Sequence, residues 1–188
     1  MSTVLSFWKN SSVKRKRIFS LFFIFVLSVM ATLAGTLVPL SEEDASILSS
    51  QTSQLLEANT DLASLSSAIF VNNFRLCLLM FIPVFGFVFG LFVLFSTGIA
   101  LNAVSMGQEL LPGVPLTPII ALLALMITPI FWIEFATYSL GMAESVWVFR
   151  RLTQKRWYYL RWTAIFIGIS AGLLAVGAVA EAWMILFM

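Results

Sequence analysis

Apolar residues run almost unbroken from Ile18 to Leu40. At ~1.5 Å per residue a helix of that length crosses a bilayer core of ~30 Å. Polar residues take over from Ser41 to Ser67, where Leu48, Leu55, Leu62 and Ile69 recur every seven positions, with Ile47, Leu56 and Leu65 beside them. That spacing predicts an amphipathic helix lying on the bilayer or on the protein's own spans, and its other use is a docking face for a partner. The next apolar stretch, Ala68 to Met106, is too long for one straight helix, and Arg75 interrupts its start. Pro83 breaks it further on, since proline lacks an N–H and clashes with the preceding turn. Pro112-Gly113-Val114-Pro115 predicts a turn. Thr117-Pro118 and Thr128-Pro129 each set a capping hydroxyl before a proline suited to the first helical position. A helix between them would be only ~16 Å long, whereas Pro129 to Phe149 gives ~31 Å, a full crossing. The last span runs from Trp162 to Met188.

The pattern divides one membrane domain into a basic tail (1–17), a first span (18–40), an external acidic segment (41–67), a broken-helix core (68–149), a basic loop (150–161) and a last span (162–188). The expected fold is all-α: a polytopic transmembrane bundle of about five spans with Pro-broken or re-entrant helices. Three complete crossings with one re-entrant segment is the competing count.

Composition narrows the class. The 188-residue chain is 60% hydrophobic and 11% charged, against about 45–50% and about 25% in ordinary soluble domains. A water-soluble monomer is excluded. With no histidine, His-dependent acid–base catalysis and most zinc, haem and copper sites are excluded too. The single cysteine, Cys77, cannot form an intrachain disulfide, and its apolar surroundings predict a packed thiol. No cofactor, metal or catalytic motif is expected.

Ten of the eleven cations fall in two clusters: Lys9, Lys14, Arg15, Lys16 and Arg17, then Arg150, Arg151, Lys155, Arg156 and Arg161. The positive-inside rule makes both cytoplasmic, hence a multi-pass protein of the cell membrane with its amino terminus inside. Their other use is a surface for anionic lipid or an acidic partner. They hug membrane edges, so nucleic acid is not an expected partner. Trp157, Tyr158, Tyr159 and Trp162 predict an aromatic girdle at the entrance of the last span. The basic head before an apolar run also has the form of a signal peptide, but no A-x-A site follows, and an uncleaved anchor is expected.

Acids inside a membrane are costly, which singles out Glu134, Glu144 and Glu181. Glu134 shares a helical face with Tyr138, Gly141 and Ser145, and three uses compete: a hydrogen bond to a broken helix end, a proton or cation site, and a contact to another subunit. Arg75 is a candidate counter-charge. Asn72, Asn73 and Asn102 complete the candidate buried polar set. Glu144 and Glu181 are expected near the interfaces. Gly86-x-x-x-Gly90, with Thr97 and Gly98, and Gly168-x-x-x-Gly172 predict close helix packing. The segments Pro83–Gly98 and Pro129–Gly141 share a proline, an aromatic-rich turn and a glycine, the pattern of paired broken helices around a midplane site.

Asn72-Asn73-Phe74-Arg75 entering an apolar run, then Gly86, Gly90, Thr97-Gly98 and Asn102, then Pro129, Glu134 and Gly141, resembles the stage II sporulation protein M family of multi-span membrane proteins over residues 70–148. The resemblance implies a small polytopic protein that works within a complex, as the family does when scaffolding wall-remodelling enzymes in spore formers. The sequence departs from the family's Pro-His-Gly-like motif before the glutamate, having Thr128-Pro129-Ile130-Phe131-Trp132-Ile133-Glu134 instead, so a role needing that histidine does not carry over. The leading expectation is a non-catalytic membrane scaffold or complex subunit, with lipids and other membrane proteins or further copies of itself as partners. A small transporter with a site near Glu134 and an accessory subunit of a membrane-bound enzyme are the alternatives.

Overall fold

The computed structural model describes residues 12–57, 59–106, 108–155, 158 and 160–187, with backbone alone for 51–57 and 109. Lys9, Arg156, Trp157 and Tyr159 lie outside the described residues, as do the side chains of Leu55 and Leu56. The described chain forms α1 (Val13–Thr36), α2 (Glu42–Glu57), α3 (Leu62–Met80), α4 (Phe85–Ser105), a small hairpin of β1 (Glu109–Leu111) and β2 (Val114–Pro115), α5 (Pro118–Ile127), α6 (Pro129–Thr153) and α7 (Leu160–Phe187). Four helices (α1, α3, α4 and α7) are long and apolar enough to cross a membrane, and the pair α5–α6, bent by 91°, has the length and apolarity of a broken span or a re-entrant loop, giving four or five spans. The protein is an all-α membrane bundle with a bent, Pro-broken helix pair.

α1 shows the logic of the bundle. Its buried face is Ile24, Ser28, Thr32, Gly35 and Thr36, while Ile18, Phe22 and Phe23 are exposed. Lipid is as apolar as any core, so small residues that let backbones approach, rather than large apolar ones, favour the inside. The hydroxyls satisfy themselves on their own helix, Ser28 Oγ donating to the Ile24 carbonyl at 2.8 Å and Thr32 Oγ1 to the Ser28 carbonyl at 3.1 Å. Ser28 also shares a 3.2 Å hydrogen bond with Ser139 of α6. Against α4 the approach is closer still: a Cβ on Gly98 would run into the Thr32 carbonyl, and one on Gly35 into that of Phe95.

Both threonine–proline signals are helix starts. Thr117 accepts from the Ile120 N–H and Thr128 from the Phe131 N–H, each at 3.3 Å, with proline inside the first turn. The missing proline N–H cannot continue α5 into α6, so the chain turns at Thr128, and Trp132 Nε1 donates across the bend to the Met126 carbonyl at 2.9 Å. Pro83 does more than kink a helix. It opens the reversal between α3 and α4, where Phe85 N–H bonds the Pro83 carbonyl at 2.7 Å and Val84 sits at φ 65°. This γ-turn hand is rare, and a β-branched side chain there is strained.

Several boundaries differ from the sequence expectation. α1 starts at Val13, not Ile18, taking the second half of the basic tail into the helix. The seven-residue repeat is not one helix: Leu48 belongs to α2, whereas Leu62 and Ile69 belong to α3, because Asp61 caps a new start by accepting from the Ala63 and Ser64 N–H groups. The predicted turn at 112–115 is the tip of the hairpin, with Gly113 at φ +79°.

The two ends of the bundle carry opposite charge. Lys14, Arg15, Lys16 and Arg17 open α1, Arg150 and Arg151 close α6, Lys155 follows, and Arg161 opens α7. At the other end lie Glu42, Glu43 and Asp44 on the first turn of α2, and Asp61. Asn102 of α4 fastens that end by donating to the Val38 carbonyl at 2.6 Å.

Candidate functional site

Two polar clusters are built between the spans. The first, near the basic end, centres on Glu144, which is 1% exposed. Its carboxylate forms an ion pair with Arg17 of α1 and accepts from Arg151 Nη1 at 3.4 Å and from Thr163 Oγ1 of α7 at 3.3 Å. One carboxylate thus gathers three helices. Aromatic rings enclose the arrangement: the Arg17 guanidinium lies 5.1 Å from the Phe166 ring centroid and 5.9 Å from that of Trp147, and Arg150 lies 5.4 Å from Trp147 on its own account. Trp147 Nε1 donates to Ser20 Oγ at 3.0 Å. A buried carboxylate needs such pairing, because removing charge from water costs several kcal/mol per ion.

Glu144 thus sits toward the basic end of the bundle but is buried in an ion pair rather than exposed there. It also takes Arg17 and Arg151 out of the set of purely surface cations. The sequence signal was available in part: Glu144 and Arg151 are seven residues apart and so share a helix face. The pairing with residue 17 had no local signal.

The second cluster holds Glu134. Asn73 Nδ2 of α3 donates to Glu134 Oε1 at 2.5 Å, and Asn72 Nδ2 donates to Asn73 Oδ1 at 3.2 Å. Tyr138, one turn along α6, is 5% exposed. Glu181 of α7 is half-buried. Arg75 is not the counter-charge. It is exposed, and among the described residues it makes no ion pair. Positions 73 and 75 are ~200° apart on a helix, so only one of them can face α6. At the reversal after α3, the Ile82 carbonyl accepts from Ser145 Oγ of α6 at 2.7 Å and from the Gly86 N–H at 2.8 Å.

The glycines divide by role. A Cβ on Gly86 would strike the Met80 backbone and one on Gly90 the Met142 side chain, while Gly141 packs 3.1 Å from Met80 Cβ. These carry the close packing of α3, α4 and α6. Gly168 and Gly172 do not pack as expected: added Cβ atoms there would meet nothing within 4 Å. They lie on an open face of α7. Cys77 is fully buried, as expected of a packed thiol.

The two proline breaks do not converge on a midplane site. Pro83 lies where Ser145 meets the end of α3, Pro129 starts α6, and sixteen residues of α6 separate these levels by ~24 Å. Grooves open at Ser105–Pro118, between α2 and the end of α4, and along α7 at Ala175–Met184, and none of these three is lined by Glu134. The class defined by fold and clusters is a polytopic helical membrane protein whose interior charge is spent on joining helices. The chain matches no family model, no curated protein and no solved structure.

Proposed function

We propose that the protein is a non-catalytic integral membrane scaffold or subunit of a multi-protein membrane complex, its amino terminus on the cytoplasmic side of the cell membrane. The observation that carries the reading is the uncovered groove on the second half of α7. It is lined by Ala175, Val176, Val179, Ala180, Trp183 and Met184 and encloses about 680 Å³. Small residues beside branched and aromatic ones suit the packing of another transmembrane helix. The engagement of Glu134 and Glu144 by side chains of this same chain supports a structural use of the interior acids. The resemblance over residues 70–148 points the same way. The excess of cations at one end supports the orientation.

Extraction from native membranes in mild detergent, followed by native mass spectrometry, tests the reading. A defined complex that dissociates on Val179→Trp is the expected outcome. A lone monomer from native membranes, unchanged by that substitution, would sink it. For orientation, Ser53→Cys should react with an impermeant external reagent, whereas reaction of Gln154→Cys would reverse the assignment.

A further inference from the structure

The basic end and the open glycines of α7 meet on one helix face. Arg161, Ile165, Gly168 and Gly172 fall within ~60° of one another at 3.6 residues per turn. Arg161 is exposed at the helix start, its guanidinium 3.9 Å from the Tyr158 ring centroid and 5.8 Å from that of Trp162. Among the described residues no acid pairs with it: the one carboxylate at that end, Glu144, is taken by Arg17 and Arg151. Below it, Ile165 and Ile169 are each 48% exposed, and Gly168 and Gly172 add no side chain to an open surface, a Cβ at either meeting nothing within 4 Å.

We propose that α7 from Arg161 to Gly172 seats one anionic phospholipid, its phosphate on Arg161 and one acyl chain along the open surface over Gly168 and Gly172. The chemistry fits at both ends. A guanidinium held against aromatic rings presents its in-plane N–H fork outward, the geometry that grips a phosphate in bidentate fashion. The eleven steps from Arg161 to Gly172 rise ~16 Å, the depth of one leaflet of a ~30 Å core. Eight described cations stand at this end against the single carboxylate of Glu144, so charge complementarity selects an anionic head group over a zwitterionic one. A second copy of α7 is the other candidate for a G-x-x-x-G face. Two copies sharing one membrane orientation would meet in parallel, however, and bring their Arg161 side chains together without an acid between them.

The test uses the full chain in nanodiscs of phosphatidylcholine with and without phosphatidylglycerol, with bound lipid counted by native mass spectrometry. The wild type should retain one phosphatidylglycerol in preference to phosphatidylcholine, and less of it at high salt. Arg161→Gln should weaken that retention about five-fold, the effect of one cation near an anionic surface. Gly168→Leu, which covers the open surface without touching the charge or another helix, should weaken it as well, with melting in pure phosphatidylcholine unchanged for both variants. Gly172→Leu repeats the measurement at the next turn. Equal retention of the two lipids, or retention indifferent to both leucine substitutions, would overturn the proposal. So would a dimer that Gly168→Leu dissociates, since the occupant would then be a second copy.

Discussion

Arg17 and Glu144 form an ion pair between α1 and α6, and Arg151 and Thr163 complete the coordination of the same carboxylate. Glu144→Gln keeps the shape and removes the charge, leaving two guanidiniums facing each other. The expected loss is about 3 kcal/mol, the lower part of the range for breaking a buried pair, since the Arg17 side chain is 26% exposed. Reversible unfolding in mixed micelles measures it. A double-mutant cycle with Arg17→Met should show coupling, and additive losses would mean that the pair contributes nothing.

The Asn73–Glu134 bond gives a different pattern. Glu134→Gln still offers a carbonyl oxygen to the Asn73 amide and should unfold within about 0.5 kcal/mol of the wild type. Glu134→Leu strands that amide and should cost about 1–3 kcal/mol. Equal effects of the two substitutions would show that hydrogen bonding is not what the position supplies.

Strain at Val84 can be relieved. Val84→Gly accepts φ 65° without a Cβ clash. A net gain of about 1 kcal/mol is expected, strain relief of about 1–3 kcal/mol being partly offset by the extra freedom of glycine in the unfolded chain. A lower midpoint for the variant would contradict the strain argument.

The glycine faces should separate cleanly. Gly98→Ala forces α1 and α4 apart against the Thr32 carbonyl and should cost about 1–3 kcal/mol. Gly168→Ala meets nothing and should be neutral or slightly stabilising, because alanine favours helix. Thermal scans of both variants in one detergent make the comparison.

Asp61 supplies a pH-dependent cap. The Ser64 hydroxyl, then the Ser64 and Ala63 N–H groups, hold its carboxyl below the ordinary aspartate value of 3.8. A carboxylate whose folded pKa is depressed stabilises the cap above its unfolded pKa, and that contribution is lost as pH falls through the lower folded value. Amide exchange at Ala63 and Ser64 should therefore rise in acid beyond its intrinsic pH trend. Asp61→Asn should cap at all pH values and flatten the response.

How much of this could be read beforehand depends on the range of the interaction. Thr117-Pro118 and Thr128-Pro129 are local signals, and both become capped helix starts. Pro83 is local too, yet the reversal through Val84 also engages α6, where Ser145 donates to the Ile82 carbonyl from 63 residues away. Asn73 rather than Arg75 reaches Glu134 because helix geometry admits one of the two, and charge alone suggested the wrong one. Arg17, the ion-pair partner of Glu144, is distant in sequence. Arg17 and Arg151 read as topogenic cations, and nothing near residue 144 announces a partner at residue 17. The α1 face of Ser28, Thr32 and Gly35 carries no hydrophobic signal, because in lipid the large apolar residues turn outward and small ones pack inside.

The span in sequence between Ser20 and Trp147, 127 residues, has a consequence for how the molecule is made. During synthesis α1 enters the bilayer long before α6 exists. Until then Arg17 lacks the carboxylate it pairs with in the folded protein, and the contact that joins α1, α6 and α7 through Glu144 cannot form. A chain interrupted before residue 144 would therefore keep the packing of its first span on α4 but lack the ion pair that ties that span to α6.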